Sequence, residues 1–293
     1  MLSDEQLRHF NKLGFIVLHD FFSRDELKIL IDEFEVGVAH VSAHEPCDGS
    51  KFHCFSMLGD DTPYSASMLE DQRFLAIAKQ TFGNDIIGFM HLAYRYAAGG
   101  TEWHANDGSI THSNEFGFGP KFQWPLHEPV RADTGALRVI PGSHRPELHK
   151  QIARSEAAGL LKQADQVPSH ACEANPGDVV FFDSRIYHGT WSPPDGPGDR
   201  KVAAIMYYQG PKTPQDHVIM RETLAGYFNN PPGSPWDAVP FKQWLANKPR
   251  NAARQQWTDA ASYISNLTDT QIGMRREREP STGQFRFVPV ESA

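Results

Sequence analysis

Cysteine is scarce in this chain of 293 residues, which contains only Cys47, Cys54 and Cys172. An odd number of cysteines without a Cys-x-x-Cys spacing is typical of reduced thiols rather than of a disulfide framework. The sequence therefore predicts a cytoplasmic protein.

Long apolar stretches are missing too. No run of 18 apolar residues occurs, and the first ten residues are polar and acidic, without the basic and apolar regions of a secretory signal. A membrane-spanning helix needs about 20 predominantly apolar residues in succession. We therefore expect neither a transmembrane segment nor a signal peptide.

A basic surface is the third missing feature, because the formal net charge is -8 at pH 7. Nucleic acid binding needs an excess of positive charge, so nucleic acid is not expected as a partner. A small anionic substrate needs only a local basic pocket and is compatible with this charge. With 40% hydrophobic and 22% charged residues, the composition is that of an ordinary globular protein.

Helix signals dominate the first 85 residues. Ser3 and Ser23 each precede a Gln or Glu by three residues, Gln6 and Glu26, which is the capping-box pattern of a helix N-terminus. A third helix is predicted over 68–82.

Strand signals replace the helix signals from about residue 86. Short runs rich in Val, Ile, Phe and Tyr, which are typical of strands, lie between turn sequences at 86–97, 122–130, 136–140, 178–183 and 201–208. Helices are predicted over 149–170, inserted between strands, and near 252–265. Helices followed by many short strands predict a mainly β fold with flanking helices, either a barrel or a jelly roll.

No linker in the sequence demands a second domain. We therefore expect one domain over 1–293. It would consist of N-terminal helices over 1–85, a jelly-roll core over about 86–210 and a C-terminal extension over 211–293.

Two of the fourteen histidines stand out by their surroundings. His104 lies where a strand runs into a turn, and residues two apart on a strand point to the same side, so His104 and a nearby oxygen ligand could bind one metal. His188 ends an apolar strand that begins after the turn at Asn175–Asp178. Two histidines and one carboxylate on one face leave three coordination positions open, as in the facial triad of non-haem iron oxygenases.

A basic side chain follows twelve residues after His188, at Arg200. A buried arginine there could bind a carboxylate with both arms of its guanidinium. Thr190, two residues after His188 on the same face, could add a hydroxyl. This pair suits a 2-oxo-dicarboxylate, with its keto-acid end on iron and its far carboxylate on Arg200 and Thr190.

Four segments together resemble the phytanoyl-CoA dioxygenase family over about residues 1–210. They are LSDEQLRHFNKLGFIVLHDFFSRDEL (2–27), GTEWHAND (100–107), DTGALRVIPGSHR (133–145) and GDVVFFDSRIYHGT (177–190). The resemblance implies a double-stranded β-helix, a cupin-like jelly roll, with Fe(II), 2-oxoglutarate and O2 as cofactor and co-substrates. It also implies that His104 and His188 bind the iron and that Arg200 binds the 2-oxoglutarate.

The third metal ligand departs from the family pattern His-x-Asp, because Asn106 occupies the expected place and Asp107 follows it. A bulge, which re-aims side chains near active sites, would make Asp107 the carboxylate ligand. Alternatively, Asn106 would bind iron through its amide oxygen, less strongly than a carboxylate does. We prefer Asp107, because an anionic ligand would hold the metal before the co-substrate arrives.

The resemblance implies a dioxygenase that oxidises an unactivated C–H bond of a small molecule and releases succinate and CO2. Asn106 keeps two alternatives open, a 2-oxoglutarate-dependent halogenase and a non-catalytic jelly-roll binding protein. A cupin-type hydrolase or isomerase is less compatible, because it would need no 2-oxo acid at Arg200 and Thr190. The sequence specifies neither the substrate nor the oligomeric state.

Overall fold

The computed structural model describes residues 1–106, 119–161, 166–196, 198–231, 238–247, 251–280 and 285–291. Its helices are α1 (Asp4–Leu13), α2 (Arg24–Ser42), α3 (Pro63–Ser67), α4 (Gln72–Phe82), α5 (Pro146–Ala157), α6 (Pro214–Asn229), α7 (Ala238–Ala246), α8 (Ala252–Ser265) and α9 (Asp269–Ile272). Its strands are β1 (Phe15–Leu18), β2 (His53–Ser56), β3 (Ile86–Tyr96), β4 (Thr101–His104), β5 (Pro120–Pro125), β6 (Leu137–Val139), β7 (His170–Cys172), β8 (Val179–Asp183), β9 (His188–Thr190), β10 (Arg200–Gln209), β11 (Met274–Arg278) and β12 (Phe285–Pro289).

Two antiparallel sheets form the centre of the described chain. The larger sheet has the strand order β1-β8-β5-β10-β3-β2, and the smaller sheet has the order β4-β9-β6-β7. Many of the neighbouring strands are far apart in sequence, as in a jelly roll, where strands of two packed sheets alternate along the chain. A separate hairpin joins β11 to β12.

The two faces of the larger sheet carry different hydrophobic cores. Val180 and Phe182 of β8 pack in one cluster with Leu137 of β6, so this cluster lies between the two sheets. Phe181 points the opposite way, because side chains alternate along a strand, and its ring stacks on Phe10 of α1 with centroids 4.4 Å apart. A strand that is buried on both faces reads as a continuous apolar run, as β8 does.

The N-terminal helices follow their capping signals. Both predicted capping boxes, at Ser3 and Ser23, are present. The helix predicted over 68–82 is wrong at its start, because Asp71 caps α4 and its side chain accepts a hydrogen bond from the backbone N–H of Arg73. The three residues before Asp71 form a separate 3₁₀ turn.

The inserted helix is shorter than predicted. The helix was predicted over 149–170, whereas α5 begins at Pro146, where a proline suits the first helical turn, and ends at Ala157. The chain then returns to the smaller sheet as β7, which begins at His170.

The C-terminal extension packs on the outer face of the larger sheet. The helix predicted near 252–265 is confirmed as α8. Its buried Trp257 donates a hydrogen bond from Nε1 to the carbonyl of Ile86 at 2.9 Å, and its ring lies against Gly88, where an added Cβ would come within 2.9 Å of it. The single-domain organisation stays a prediction. Among the described helices, none is long and apolar enough to cross a membrane.

Candidate active site

The smaller sheet places two histidines side by side. Strands β4 and β9 run antiparallel, and their register sets His104 opposite His188. The two ring centroids are 4.2 Å apart, with an angle of 53° between the ring planes. His104 is half-buried, and His188 is buried with 3% of its surface exposed.

Both imidazole rings are held in the same way. Nδ1 of His104 lies 2.9 Å from the carbonyl of Glu102, and Nδ1 of His188 lies 2.9 Å from the carbonyl of Ile186. Because a carbonyl oxygen only accepts hydrogen bonds, Nδ1 is the donor in each ring when the imidazole is neutral. Nε2 of each ring then keeps its lone pair, and this is how metal-binding histidines are usually oriented.

The surroundings of His188 favour its neutral form. Burial lowers its pKa well below 6.5, and the electrostatic influence of His104 and Lys121 lowers it further. Its Nε2 is buried and has no hydrogen-bond partner among the described residues. A buried polar atom without a partner is uncommon, and a neutral imidazole nitrogen is what a metal ion needs as a ligand. The histidine pair therefore fits a bound metal.

Of the two candidates for the third metal ligand, the structure describes only Asn106. Asn106 is fully buried, and its backbone N–H donates a hydrogen bond to the carbonyl of Ser184 at 2.8 Å. Asp107 lies outside the described residues. Among the residues that the structure describes, no group of three His, Cys, Asp or Glu side chains could hold a metal ion. The choice between Asn106 and Asp107 therefore stays a prediction.

Arg200 is a buried cation at the start of β10, with 9% of its surface exposed. Nη1 donates to the carbonyl of Gly135 at 2.9 Å, and Nη2 donates to the carbonyl of Gly99 at 3.0 Å. Cζ lies 4.9 Å from the ring centroid of Tyr96. Burial lowers the pKa of Arg200, and no carboxylate of the described residues forms an ion pair with it. Such a cation fits an anionic ligand.

Gly135 makes the room that Arg200 occupies. Its φ is +93°, and an added Cβ would lie 1.8 Å from Nη1 of Arg200. Only glycine combines this left-handed backbone with so close an approach. The sequence analysis contained Gly135 only as part of the family motif over 133–145, so its role in seating Arg200 was missed.

Thr190 is tied to the loop that also contacts Arg200. Its hydroxyl lies 3.2 Å from both the backbone nitrogen and the hydroxyl of Thr101. Two residues further along, Ser192 donates from Oγ to the carbonyl of Gly99 at 2.7 Å, the same carbonyl that accepts from Arg200. Strand β9 and Arg200 are thus joined through the loop between β3 and β4.

The segment 133–145 holds both halves of the site. The hydroxyl of Ser143 accepts a hydrogen bond from the backbone N–H of Tyr187 at 2.7 Å, next to His188. At its other end, the carbonyl of Gly135 accepts from Arg200. The sequence identified this segment as a family motif. Only the folded chain shows that it contacts both the strand of His188 and Arg200.

Solved structures share the jelly-roll arrangement. HygX from Streptomyces hygroscopicus, with nickel and 2-oxoglutarate bound, is 19% identical and matches with a TM-score of 0.58 over 71% of this chain and 88% of that chain. EctD from S. alaskensis, with 2-oxoglutarate and 5-hydroxyectoine, is 21% identical, with a TM-score of 0.54 over 71% of this chain and 77% of that chain. At these identities the likeness shows the fold, and it confirms the predicted jelly roll.

Sequence comparison shows the family. The model of the family described as Phytanoyl-CoA dioxygenase (PhyH) matches residues 10–192, so the chain belongs to that family, as its motifs predicted. An ectoine dioxygenase from Sphingopyxis alaskensis is 25% identical over 218 residues, which cover 64% of this chain and 70% of the relative. The predicted enzyme class, an oxidoreductase of the dioxygenase type, is confirmed by these relatives.

Proposed function

We propose that this chain is an Fe(II)- and 2-oxoglutarate-dependent dioxygenase. It oxidises an unactivated C–H bond of a small molecule in the cytoplasm and releases succinate and CO2. The observation that carries the proposal is the strand register that sets His104 opposite His188, with the Nδ1 atom of each ring on a backbone carbonyl. The nickel and 2-oxoglutarate bound in HygX support the choice of metal class and co-substrate.

The histidines would bind the metal through Nε2, with Asp107 as the preferred third ligand. When bound, Fe(II) supplies the chemistry with dioxygen, which protein side chains cannot provide by themselves. The chain supplies a fixed ligand geometry, because the carbonyls of Glu102 and Ile186 orient the two rings. It also keeps His188 buried and neutral, so the ring is ready to bind a cation.

Arg200 would bind the far carboxylate of 2-oxoglutarate, with Thr190 adding a hydroxyl. The carbonyls of Gly135 and Gly99 fix the plane of the guanidinium, and Tyr96 lies against it. A buried cation is costly unless an anion pairs with it. The co-substrate carboxylate would be that anion.

The metal site is tested by iron binding. His104→Ala and His188→Ala should each abolish stoichiometric Fe(II) binding and 2-oxoglutarate-dependent succinate formation, because two ligands cannot hold the metal firmly. His44→Ala changes an exposed histidine and serves as the control. Full iron occupancy in both site variants would refute the assignment.

The co-substrate site is tested separately. Arg200→Lys should raise the KM for 2-oxoglutarate without a matching loss of iron affinity, because lysine lacks the planar fork. Loss of a buried ion pair of this type costs roughly 2–5 kcal/mol. Arg185→Lys, which changes an arginine paired with Asp183, is the control, and an unchanged KM in Arg200→Lys would contradict the proposal.

The third ligand is tested by a pair of neighbouring variants. Asp107→Ala should remove iron binding, whereas Asn106→Ala should leave measurable iron, because a carboxylate holds Fe(II) more firmly than an amide does. Melting temperatures of both variants separate loss of the ligand from loss of folding, since Asn106 is fully buried. The reverse pattern of iron binding would place Asn106 on the metal.

A further inference from the structure

A lysine is buried between the two sheets. Lys121 of β5 has 5% of its surface exposed. The strand register sets it opposite Phe182 of β8 and opposite Met206 of β10. Phe182 belongs to the core between the sheets, so Lys121 faces the same interior.

Lys121 lies on the same aromatic ring as one of the two histidines. Its Nζ is 5.9 Å from the ring centroid of Phe182, and the ring of His188 is 5.1 Å from that same centroid. The ammonium group is thus a neighbour of the proposed metal site.

Lys121 and Arg200 lie on opposite sides of the histidine pair. Arg200 begins β10, whereas Lys121 pairs with Met206, six residues further along that strand. At about 3.3 Å per residue, the backbone position of Arg200 and that of Met206, opposite Lys121, are roughly 20 Å apart along the strand. In the facing sheet, Ser192, just after β9, is tied to the loop at Arg200, and His188, at the start of β9, packs on Phe182, the residue opposite Lys121. A co-substrate that extends from the histidines to Arg200 therefore points away from Lys121.

No anion of the described residues neutralises Lys121. Among these residues it forms neither an ion pair nor a hydrogen bond, and its contact is with the face of Phe182. Lysine is almost never fully buried unless it is paired, because an isolated charge is expensive to remove from water. The next residue on the same face is Gln123, a half-buried amide. A cation and an amide side by side suit an organic anion.

We propose that Lys121 binds an anionic group of the small-molecule substrate, a carboxylate or a phosphate, on the side of the histidine pair opposite to Arg200. This inference rests on the proposed function and names the substrate class of the same site. The anion would hold the substrate by one end, so that a carbon further along the molecule lies beside His104 and His188.

The test compares anions with neutral molecules of the same shape. Protein loaded with Ni(II) and 2-oxoglutarate, which does not turn over, is titrated by calorimetry with hexanoate against hexanamide, phenylacetate against phenylacetamide, and phenyl phosphate against phenol. The wild type should bind at least one anion about tenfold or more tightly than its neutral counterpart, the effect of one charge-assisted hydrogen bond. The carboxylate and phosphate arms show which anion is preferred.

Variants assign this preference to the lysine. Lys121→Met should abolish it, and Lys121→Arg should retain it. Lys201→Met is the control, because Lys201 lies on the opposite face of the same sheet and pairs with Glu35. Replacing a buried charge by an apolar side chain is often neutral or stabilising, so Lys121→Met should melt no earlier than the wild type. If Lys121→Met fails to fold, Lys121→Gln replaces it in the same test.

Three results would overturn the inference. The wild type could show no preference for any anion, including no binding at all, or the preference could survive in Lys121→Met. Lys121→Met could also weaken 2-oxoglutarate as much as Arg200→Lys does, which would place the co-substrate on Lys121. A wild type that binds neither Ni(II) nor 2-oxoglutarate refutes the proposed function instead, and the anion preference is then measured on the metal-free protein.

Discussion

At the scale of single residues, Gly135 matters to the site because glycine has no side chain. The guanidinium of Arg200 occupies the space where any Cβ at residue 135 would lie. The same residue supplies the carbonyl that accepts from Nη1. Gly135 has no side chain to contact a ligand, and yet it determines whether Arg200 can reach its position.

Gly135→Ala should therefore weaken 2-oxoglutarate binding. We expect its Kd to rise about tenfold or more, because the displaced guanidinium loses a charge-assisted hydrogen bond to the co-substrate. Calorimetry on the Ni(II)-loaded protein measures the change. Gly273→Ala is a suitable control, since Gly273 also has a positive φ, +75°, but has nothing within 4 Å of an added Cβ. Equal affinities in the Gly135 variant and the wild type would contradict this reading.

His91 illustrates a residue whose burial makes the fold sensitive to acid. It is fully buried in β3, and burial lowers its pKa to about 4, although its Nδ1 lies 2.7 Å from the carbonyl of Ser65. In the unfolded chain a histidine has a pKa near 6.5. Between these two values the unfolded chain binds more protons, so the stability of the fold decreases as the pH falls from about 6.5 towards 4.

His91→Asn should reduce this acid sensitivity, because the amide can still donate to Ser65 and does not titrate. Between pH 7.5 and pH 5 the wild type should lose about 2 kcal/mol more of its free energy of unfolding than the variant does. Urea denaturation at both pH values measures it. His44→Asn, at an exposed position, should behave as the wild type, and parallel losses in the wild type and His91→Asn would contradict the prediction.

At the scale of helices and strands, local signals were enough where a few neighbouring residues determine the structure. The capping boxes at Ser3 and Ser23 and the helix near 252–265 could be predicted because their signals lie within the elements themselves. The same kind of signal was present for α6, where Thr213 and Asp216 form a capping box, but the surrounding proline and asparagine content obscured it.

Pairing between distant strands could not be predicted from local signals. That His104 would lie opposite His188 depends on β4 and β9 being neighbours. The strand ends singled out both histidines, but only the family resemblance implied that they bind the same iron. Lys121 was missed for a related reason. It lies one residue before the strand predicted over 122–130, whereas β5 begins at Pro120, lies inside the larger sheet and is covered on both faces.

At the scale of the whole molecule, the C-terminal helices stabilise the sheet that carries Arg200. Trp257→Ala should lower the free energy of unfolding by about 3–5 kcal/mol, because it leaves a large cavity against β3 and removes the hydrogen bond to Ile86. Denaturant titration measures the loss. Tyr263→Ala, on the same helix but with 65% of its surface exposed, is the control. Equal stabilities of the two variants would show that α8 is not part of the cooperative core.

The segment 133–145 connects the proposed metal site with the proposed co-substrate site. It bonds to the strand of His188 through Ser143 and to Arg200 through Gly135. A ligand that orders one end of this segment reduces the entropy that a second ligand must remove at the other end. The metal and the co-substrate should therefore bind with positive cooperativity, and by thermodynamic linkage each should strengthen the other by the same factor. A substitution at Ser143 would then weaken this mutual reinforcement while leaving both sets of direct contacts in place.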